Sequence, residues 1–109
     1  MMVKQQSGHI VIINSAAGKE GKLNHTLYCA SKFGLKGFAD ALRLEAKSNN
    51  IRVTSFHPGG INTPLYRNLP EIPKGTYMDA KKVATLLIDV IETDPSISPD
   101  EVVISRMTK

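Results

Sequence analysis

Four consecutive β-branched residues, Ile10 to Ile13, are the most restrictive feature of this sequence. Glycine and asparagine bound the run, and no polar residue alternates with the apolar ones. A strand with one face in water carries polar side chains at every second position, whereas an unbroken apolar run is typical of a strand covered on both faces. Parallel sheets flanked by helices contain such strands. The run therefore predicts a parallel sheet.

A helical pattern follows from Thr26 to Lys47, where apolar and small residues recur at intervals of three and four. The positions in this pattern are Ala30, Phe33, Gly34, Gly37, Phe38, Ala41, Leu42 and Glu45. Asn49 and Asn50 are expected to end the helix, because asparagine tolerates the left-handed conformation found after a helix C-terminus.

Two further strands and a second helix are predicted downstream. Residues 51–56 have strong β propensity and are stopped by His57-Pro58-Gly59-Gly60. Asp79 is a candidate N-cap for a helix from Ala80 to about Glu92. A third strand is expected over residues 101–105, whereas the prolines and glycine of residues 61–78 favour an irregular segment.

This order of elements is typical of parallel crossover units. We therefore predict one α/β domain, residues 1–109, with about three parallel strands and two main helices. A strand of the kind formed by Ile10–Ile13 needs cover and a neighbour on each side. We expect that one such neighbour is missing from this chain.

Composition excludes several functional classes. Hydrophobic residues make up 41% and charged residues 22%, which is typical of globular proteins. No apolar run approaches the roughly 20 residues of a membrane span, and the N-terminus lacks a secretory signal pattern, so a cytoplasmic location is expected. The net charge of +4 comes from scattered basic residues, which argues against nucleic-acid binding. Cys29 is the only cysteine.

The histidines do not predict a metal site. His9, His25 and His57 are 16 and 32 residues apart and have no acidic residues at metal-ligand spacing. His57 is expected to be a strand-end residue. Arg43 is expected on the solvated surface of the first long helix.

Tyr28 and Lys32 are four residues apart, so on a helix they lie on one face about a turn apart. An ammonium beside a phenol stabilises the phenolate, which favours proton exchange with a ligand. The alternative is an exposed helix pair with no chemical role.

Ser15 follows the first strand directly, at the edge where open α/β sheets bind ligands, and its hydroxyl is a candidate donor to a substrate oxygen. The alternative for Ser15 is a turn or cap residue.

Pro58, Gly59 and Gly60 end the second strand, so they open onto the same edge as Ser15. Glycine permits close approach of a ligand to the backbone. The peptide groups of Ile61 and the hydroxyl of Thr63 are candidate partners for a carboxamide. A plain Pro-Gly turn is the alternative.

Together, Ser15, Tyr28 with Lys32, and Pro58-Gly59-x-Ile61-x-Thr63 resemble the carboxyl-terminal half of a short-chain dehydrogenase/reductase, in order and in spacing. The resemblance implies a partial Rossmann-like, doubly wound fold and hydride transfer between NAD or NADP and a small alcohol or carbonyl substrate. It implies that Tyr28 is the acid/base, that Ser15 positions the substrate oxygen, and that Lys32 binds the nicotinamide ribose and supports Tyr28. The residues implied to line the nicotinamide pocket are Tyr28, Lys32, Pro58, Gly59, Ile61 and Thr63.

The family's Gly-rich loop, its residue that selects NAD or NADP, and its upstream catalytic Asn have no counterpart in this sequence. The groups that bind adenosine and pyrophosphate are thus expected to be absent, and the chain alone is expected to be a poor enzyme. Tyr66 and Tyr77 are candidates either for substrate contact or for packing. The rival hypothesis is a non-catalytic fragment that associates through helix 26–47, with itself or with a relative. The resemblance implies a homo-oligomer or association with a missing amino-terminal half.

Overall fold

The computed structural model describes residues 1–15, 26–63 and 77–107. Its elements follow one another as α1 (Met2–Gln5), β1 (Gly8–Ile13), α2 (Thr26–Lys47), β2 (Ile51–Pro58), α3 (Ala80–Ile91) and β3 (Glu101–Ile104). The predicted α2 has the same bounds in the structure, and the predicted positions of the strands and of α3 are confirmed to within two residues. The short helix α1 was not predicted.

The three strands form one parallel sheet in the order β1-β2-β3. Gly8 pairs with Ile51 at one end of the β1–β2 ladder, and Pro58 pairs with Ile104 at the far end of the β2–β3 ladder. The central strand β2 is almost entirely buried, as expected for a strand with neighbours on both sides. The predicted α/β class is confirmed.

Each face of the sheet packs against one helix. On one face Ala46 of α2 packs against Ile51 and Val53 of β2. On the opposite face Val83 and Val90 of α3 pack against Phe56. Because successive strand side chains point to opposite faces, Val53, Ser55 and His57 lie under α2, whereas Thr54 and Phe56 face α3.

Local residues explain where the helices begin and end. Asn50 has φ 58°, the left-handed conformation predicted for the end of α2. The Asp79 side chain accepts hydrogen bonds from the backbone N–H groups of Lys81 and Lys82, so the predicted N-cap of α3 is confirmed.

Two apolar surfaces are less covered than the sequence pattern suggested. The strand β1 lies at the edge of the sheet and is only partly buried, and Ile13 is 50% exposed. In α2 the buried residues are Cys29, Ala39 and Ala46. The predicted periodic positions Phe33 and Phe38 are exposed, at 44% and 58%.

Arg43 is not a solvated surface residue, because only 17% of its side chain is exposed. Its Nε donates to the Val53 carbonyl at 2.8 Å and its Nη2 to the Asp100 carbonyl at 2.8 Å. One guanidinium therefore joins α2, β2 and the residue that precedes β3. Its Nη1 also donates to Asp40 at 2.9 Å.

Candidate functional site

The carboxyl ends of β1 and β2 lie side by side, because the strands are parallel and in register. The Asn14 backbone N–H donates to the Phe56 carbonyl at 2.7 Å, which continues the ladder one residue beyond β1. Ser15 and Pro58 therefore occur at the same edge of the sheet, as the sequence predicted. This is the edge where open α/β sheets bind ligands.

The buried side chain of Asn14, which is 4% exposed, joins this edge to α2. Its Oδ1 accepts from the Ser15 backbone N–H at 2.9 Å, and its Nδ2 donates to the Lys32 carbonyl at 3.0 Å. One amide thus holds the backbone of Ser15 against the helical turn that carries Lys32. Sequence reasoning missed Asn14, although a polar residue directly after a buried strand is a signal for such a role.

Tyr28 and Lys32 interact within the first turns of α2. The Lys32 Nζ lies 5.6 Å from the centroid of the Tyr28 ring, within the range of a cation–π contact. Tyr28 is 45% exposed, whereas the next residue, Cys29, is buried against the sheet. The phenol therefore faces outward from the helix with the ammonium beside it, where a ligand can reach both.

His57 is a second residue whose role the sequence did not reveal. It is fully buried, its Nδ1 lies 3.2 Å from the Ser15 carbonyl oxygen, and its Nε2 lies 3.2 Å from Glu101 Oε1. The predicted strand-end position is confirmed, and the ring in addition lies between Glu101 of β3 and the backbone of Ser15. In the sequence, the signal for this role was the position of His57 between buried strand residues and Pro58.

The segment after β2 is fixed by backbone hydrogen bonds. The Gly59 N–H donates to the Ile104 carbonyl at 2.9 Å. Ile61 and Met78 form a parallel bridge in which Met78 bonds the Gly60 carbonyl at 3.0 Å and the Asn62 N–H at 2.8 Å. In a parallel bridge the peptide groups of the central residue point the other way, so those of Ile61 face away from Met78.

Gly60 is required by a close approach of Tyr77. A Cβ atom built on Gly60 would lie 2.3 Å from Cδ1 of the Tyr77 ring, so no larger residue fits without movement. Of the two alternatives for Tyr77, the structure thus places the ring in packing contact with Gly60. Thr63 is partly buried at the end of its described range, and Tyr66 lies outside the described residues.

Within residues 1–15, 26–63 and 77–107, no group of three His, Cys, Asp or Glu side chains is arranged to hold a metal ion. No helix in the same ranges has the length and apolarity needed to cross a membrane.

The chain is similar in sequence to known proteins. A family model described as short chain dehydrogenase matches residues 1–73. A sepiapterin reductase of Chlorobaculum tepidum is 32% identical over 108 residues, which cover 99% of this chain and 44% of that protein. A 3-oxoacyl-[acyl-carrier-protein] reductase of Bos taurus is 39% identical over 98 residues, which cover 84% of this chain and 41% of that protein.

A solved structure agrees with this similarity. A crystal structure of an actinorhodin polyketide ketoreductase variant with NADPH superposes with a TM-score of 0.78 at 27% identity, covering 94% of this chain and 48% of that one. The chain therefore spans less than half the length of the proteins that it matches.

Proposed function

Because the chain belongs to the short-chain dehydrogenase family, we propose that it is the carboxyl-terminal half of an NAD(P)(H)-dependent oxidoreductase of the cytoplasm. The reaction would interconvert a small alcohol and the corresponding carbonyl compound. The observation that carries the proposal is the Asn14 side chain, whose two hydrogen bonds hold Ser15 against the turn of α2 that carries Lys32. A serine, a tyrosine and a lysine on adjoining elements are the groups that such a reaction needs.

Residues of this chain would carry out the proton transfer. In carbonyl reduction Tyr28 would donate its phenolic proton to the substrate oxygen, and Ser15 would donate a hydrogen bond to the same oxygen. Lys32, whose ammonium lies beside the Tyr28 ring, would stabilise the phenolate left behind. In alcohol oxidation the same groups act in reverse, and Tyr28 accepts the proton.

The residues after β2 fit the nicotinamide end of a dinucleotide. The Ile61 peptide groups face away from Met78 and would pair with a carboxamide, to which Thr63 would add a hydroxyl two residues later. Pro58 and Gly59 would line the same pocket, with Tyr28 and Lys32 near the ribose. When bound, NAD(P)H supplies the hydride that reduces the carbonyl carbon. The adenosine and pyrophosphate groups would be held by an amino-terminal half.

The test of this proposal supplies an amino-terminal half. The chain is fused behind the amino-terminal half of the Bos taurus relative, and NADH or NADPH absorbance is followed with a panel of small carbonyl compounds. Tyr28→Phe should lower kcat by about 10²- to 10⁴-fold, the usual contribution of a general acid. Lys32→Met should also impair turnover, whereas Lys47→Met, an exposed change near the other end of α2, should not. Turnover that survives Tyr28→Phe contradicts the assigned role.

A second candidate function is association through the exposed side of α2. Phe33 is 44% exposed and Phe38 58%, and Cβ atoms built on Gly34 and Gly37 meet no atom within 4 Å. Apolar side chains beside small residues let a second helix approach closely. The partner proposed here is a second copy of the chain.

Two measurements separate these functions. Fluorescence titration with NADH or NADPH detects a nucleotide site, and sedimentation equilibrium of the same sample gives the molecular mass. Saturable binding favours the oxidoreductase. A dimer without nucleotide binding, converted to monomer by Phe38→Glu but not by Lys47→Glu, favours the association function.

A further inference from the structure

His57 is a buried titratable side chain that the proposed reaction does not use. It is 0% exposed and immediately precedes Pro58 at the end of β2. Its ring lies on the α2 face of the sheet, the face that also carries Val53. A buried imidazole is costly unless its nitrogens are hydrogen-bonded, so the identity of its partners decides its role.

The partners of the ring determine where its protons lie. Nδ1 is 3.2 Å from the Ser15 carbonyl oxygen, which can only accept, so Nδ1 carries a hydrogen and donates it. Nε2 lies 3.2 Å from Glu101 Oε1. The imidazole therefore lies in a chain of contacts from β3 to Ser15, two residues after β1.

The α2 residue Lys36 also faces Glu101. Lys36 Nζ lies 3.7 Å from Glu101 Oε1 and 2.7 Å from Asp40 Oδ2. The hydrogen bond to Asp40, supported by the charges of Asp40 and Glu101, raises the pKa of Lys36, so this ammonium stays protonated. Arg43 holds Asp40 from its other side at 2.9 Å. The Glu101 carboxylate at Nε2 and the Ser15 carbonyl at Nδ1 thus contact the His57 ring from two sides.

We propose that His57 is a positioning residue for Ser15, an inference whose kinetic consequence rests on the proposed function. Ser15 is held at both of its backbone groups, since its N–H donates to Asn14 and its carbonyl accepts from His57. Fixing both groups fixes the direction in which its Cα–Cβ bond points. The position from which the Ser15 side chain projects is thereby constrained, and Glu101 holds the imidazole in place.

The first test does not depend on activity. Long-range ¹H–¹⁵N spectra of the 109-residue chain should give a protonated Nδ1 for His57 at neutral pH. Glu101→Gln should leave Nδ1 protonated, because the Ser15 carbonyl can only accept. His9, whose Nε2 contacts Thr54 on the opposite face, serves as the control and should not change. An unprotonated Nδ1 in the wild-type chain overturns the proposal.

The second test compares two substitutions of His57 in the active fusion. His57→Asn keeps an amide N–H near the position of Nδ1, whereas His57→Gln reaches toward Glu101 and loses the donor to Ser15. A misplacement of about 1 Å at a reacting group costs about 10²-fold, so His57→Gln should lower kcat by about 10- to 100-fold with little change in KM. His57→Asn should retain most of kcat.

The outcomes separate this inference from the proposed function. Equal loss in the two variants, or a change confined to KM, overturns the positioning role. A wild-type fusion without turnover contradicts the proposed function instead. The contact between His57 and Ser15 is then tested by the ring spectra, which do not depend on activity.

Discussion

The contact between Asn14 and α2 gives the sharpest stability prediction. Asn14→Asp replaces the Nδ2 amino group by an oxygen atom, in a side chain that is 4% exposed. The acceptor for the Ser15 N–H is kept, but a carboxylate oxygen replaces the Nδ2 donor 3.0 Å from the Lys32 carbonyl. A favourable hydrogen bond thus becomes a contact between two acceptors.

The expected cost follows from the two changes together. Losing the hydrogen bond costs about 1 kcal/mol, and a buried, unsatisfied charged group facing a carbonyl adds about 1–3 kcal/mol. Asn14→Asp should therefore lower the free energy of unfolding by about 2–4 kcal/mol at neutral pH. Part of this loss should be recovered at low pH, because a protonated carboxyl can donate to the Lys32 carbonyl as the amide does.

Urea denaturation followed by far-ultraviolet circular dichroism measures the effect at several pH values. Asn62→Asp is the matched control, since Asn62 is exposed and the same change there should stay within about 0.5 kcal/mol. Equal destabilisation of the two variants would show that the Asn14 contact does not hold Ser15 to α2. Destabilisation that does not diminish as the pH is lowered would contradict the assignment of Nδ2 as the donor.

Three further outcomes are expected in the same denaturation assay. Gly60→Ala should be destabilising, because its Cβ would lie 2.3 Å from the Tyr77 ring, and an unchanged midpoint would contradict this close approach. The same substitution at Gly34, where a Cβ meets nothing within 4 Å, should stabilise α2 by about 0.5–1 kcal/mol, and a loss of stability would show that this surface is covered. Burial, followed by the charge of Arg52, lowers the pKa of His9, so the unfolded chain binds a proton more readily than the folded one. Stability should fall as pH decreases below about 6.5, and His9→Gln should reduce that fall; an identical pH profile for the variant would refute the linkage.

The secondary structure was largely predictable because it depends on local patterns. The β-branched runs, the helical spacing of residues 26–47 and the Asp79 cap each act within a few residues, and the structure places elements where these signals lie. The pairing of parallel strands then followed from general rules of connection. The apolar run of β1 predicted a strand that needs cover and a further neighbour, and among the described residues β1 is an edge strand that is only partly buried.

The candidate residues of the site were identifiable from sequence spacing, but the contacts that support them were not. Asn14 and His57 belong to the same short segments as Ser15 and Pro58, yet their partners Lys32 and Glu101 are 18 and 44 residues away in the sequence. Arg43 likewise spans 57 residues to reach the Asp100 carbonyl.

By itself the sequence determined the order of strands and helices, their approximate bounds, and which edge of the sheet carries Ser15 and the Pro58-Gly59 turn. Only the tertiary structure decided which side of α2 is buried and which buried polar groups hold the strand ends together. The physical reason is that helix and strand propensities act locally, whereas a buried amide, imidazole or guanidinium is stable only when distant parts of the chain supply its hydrogen-bond partners.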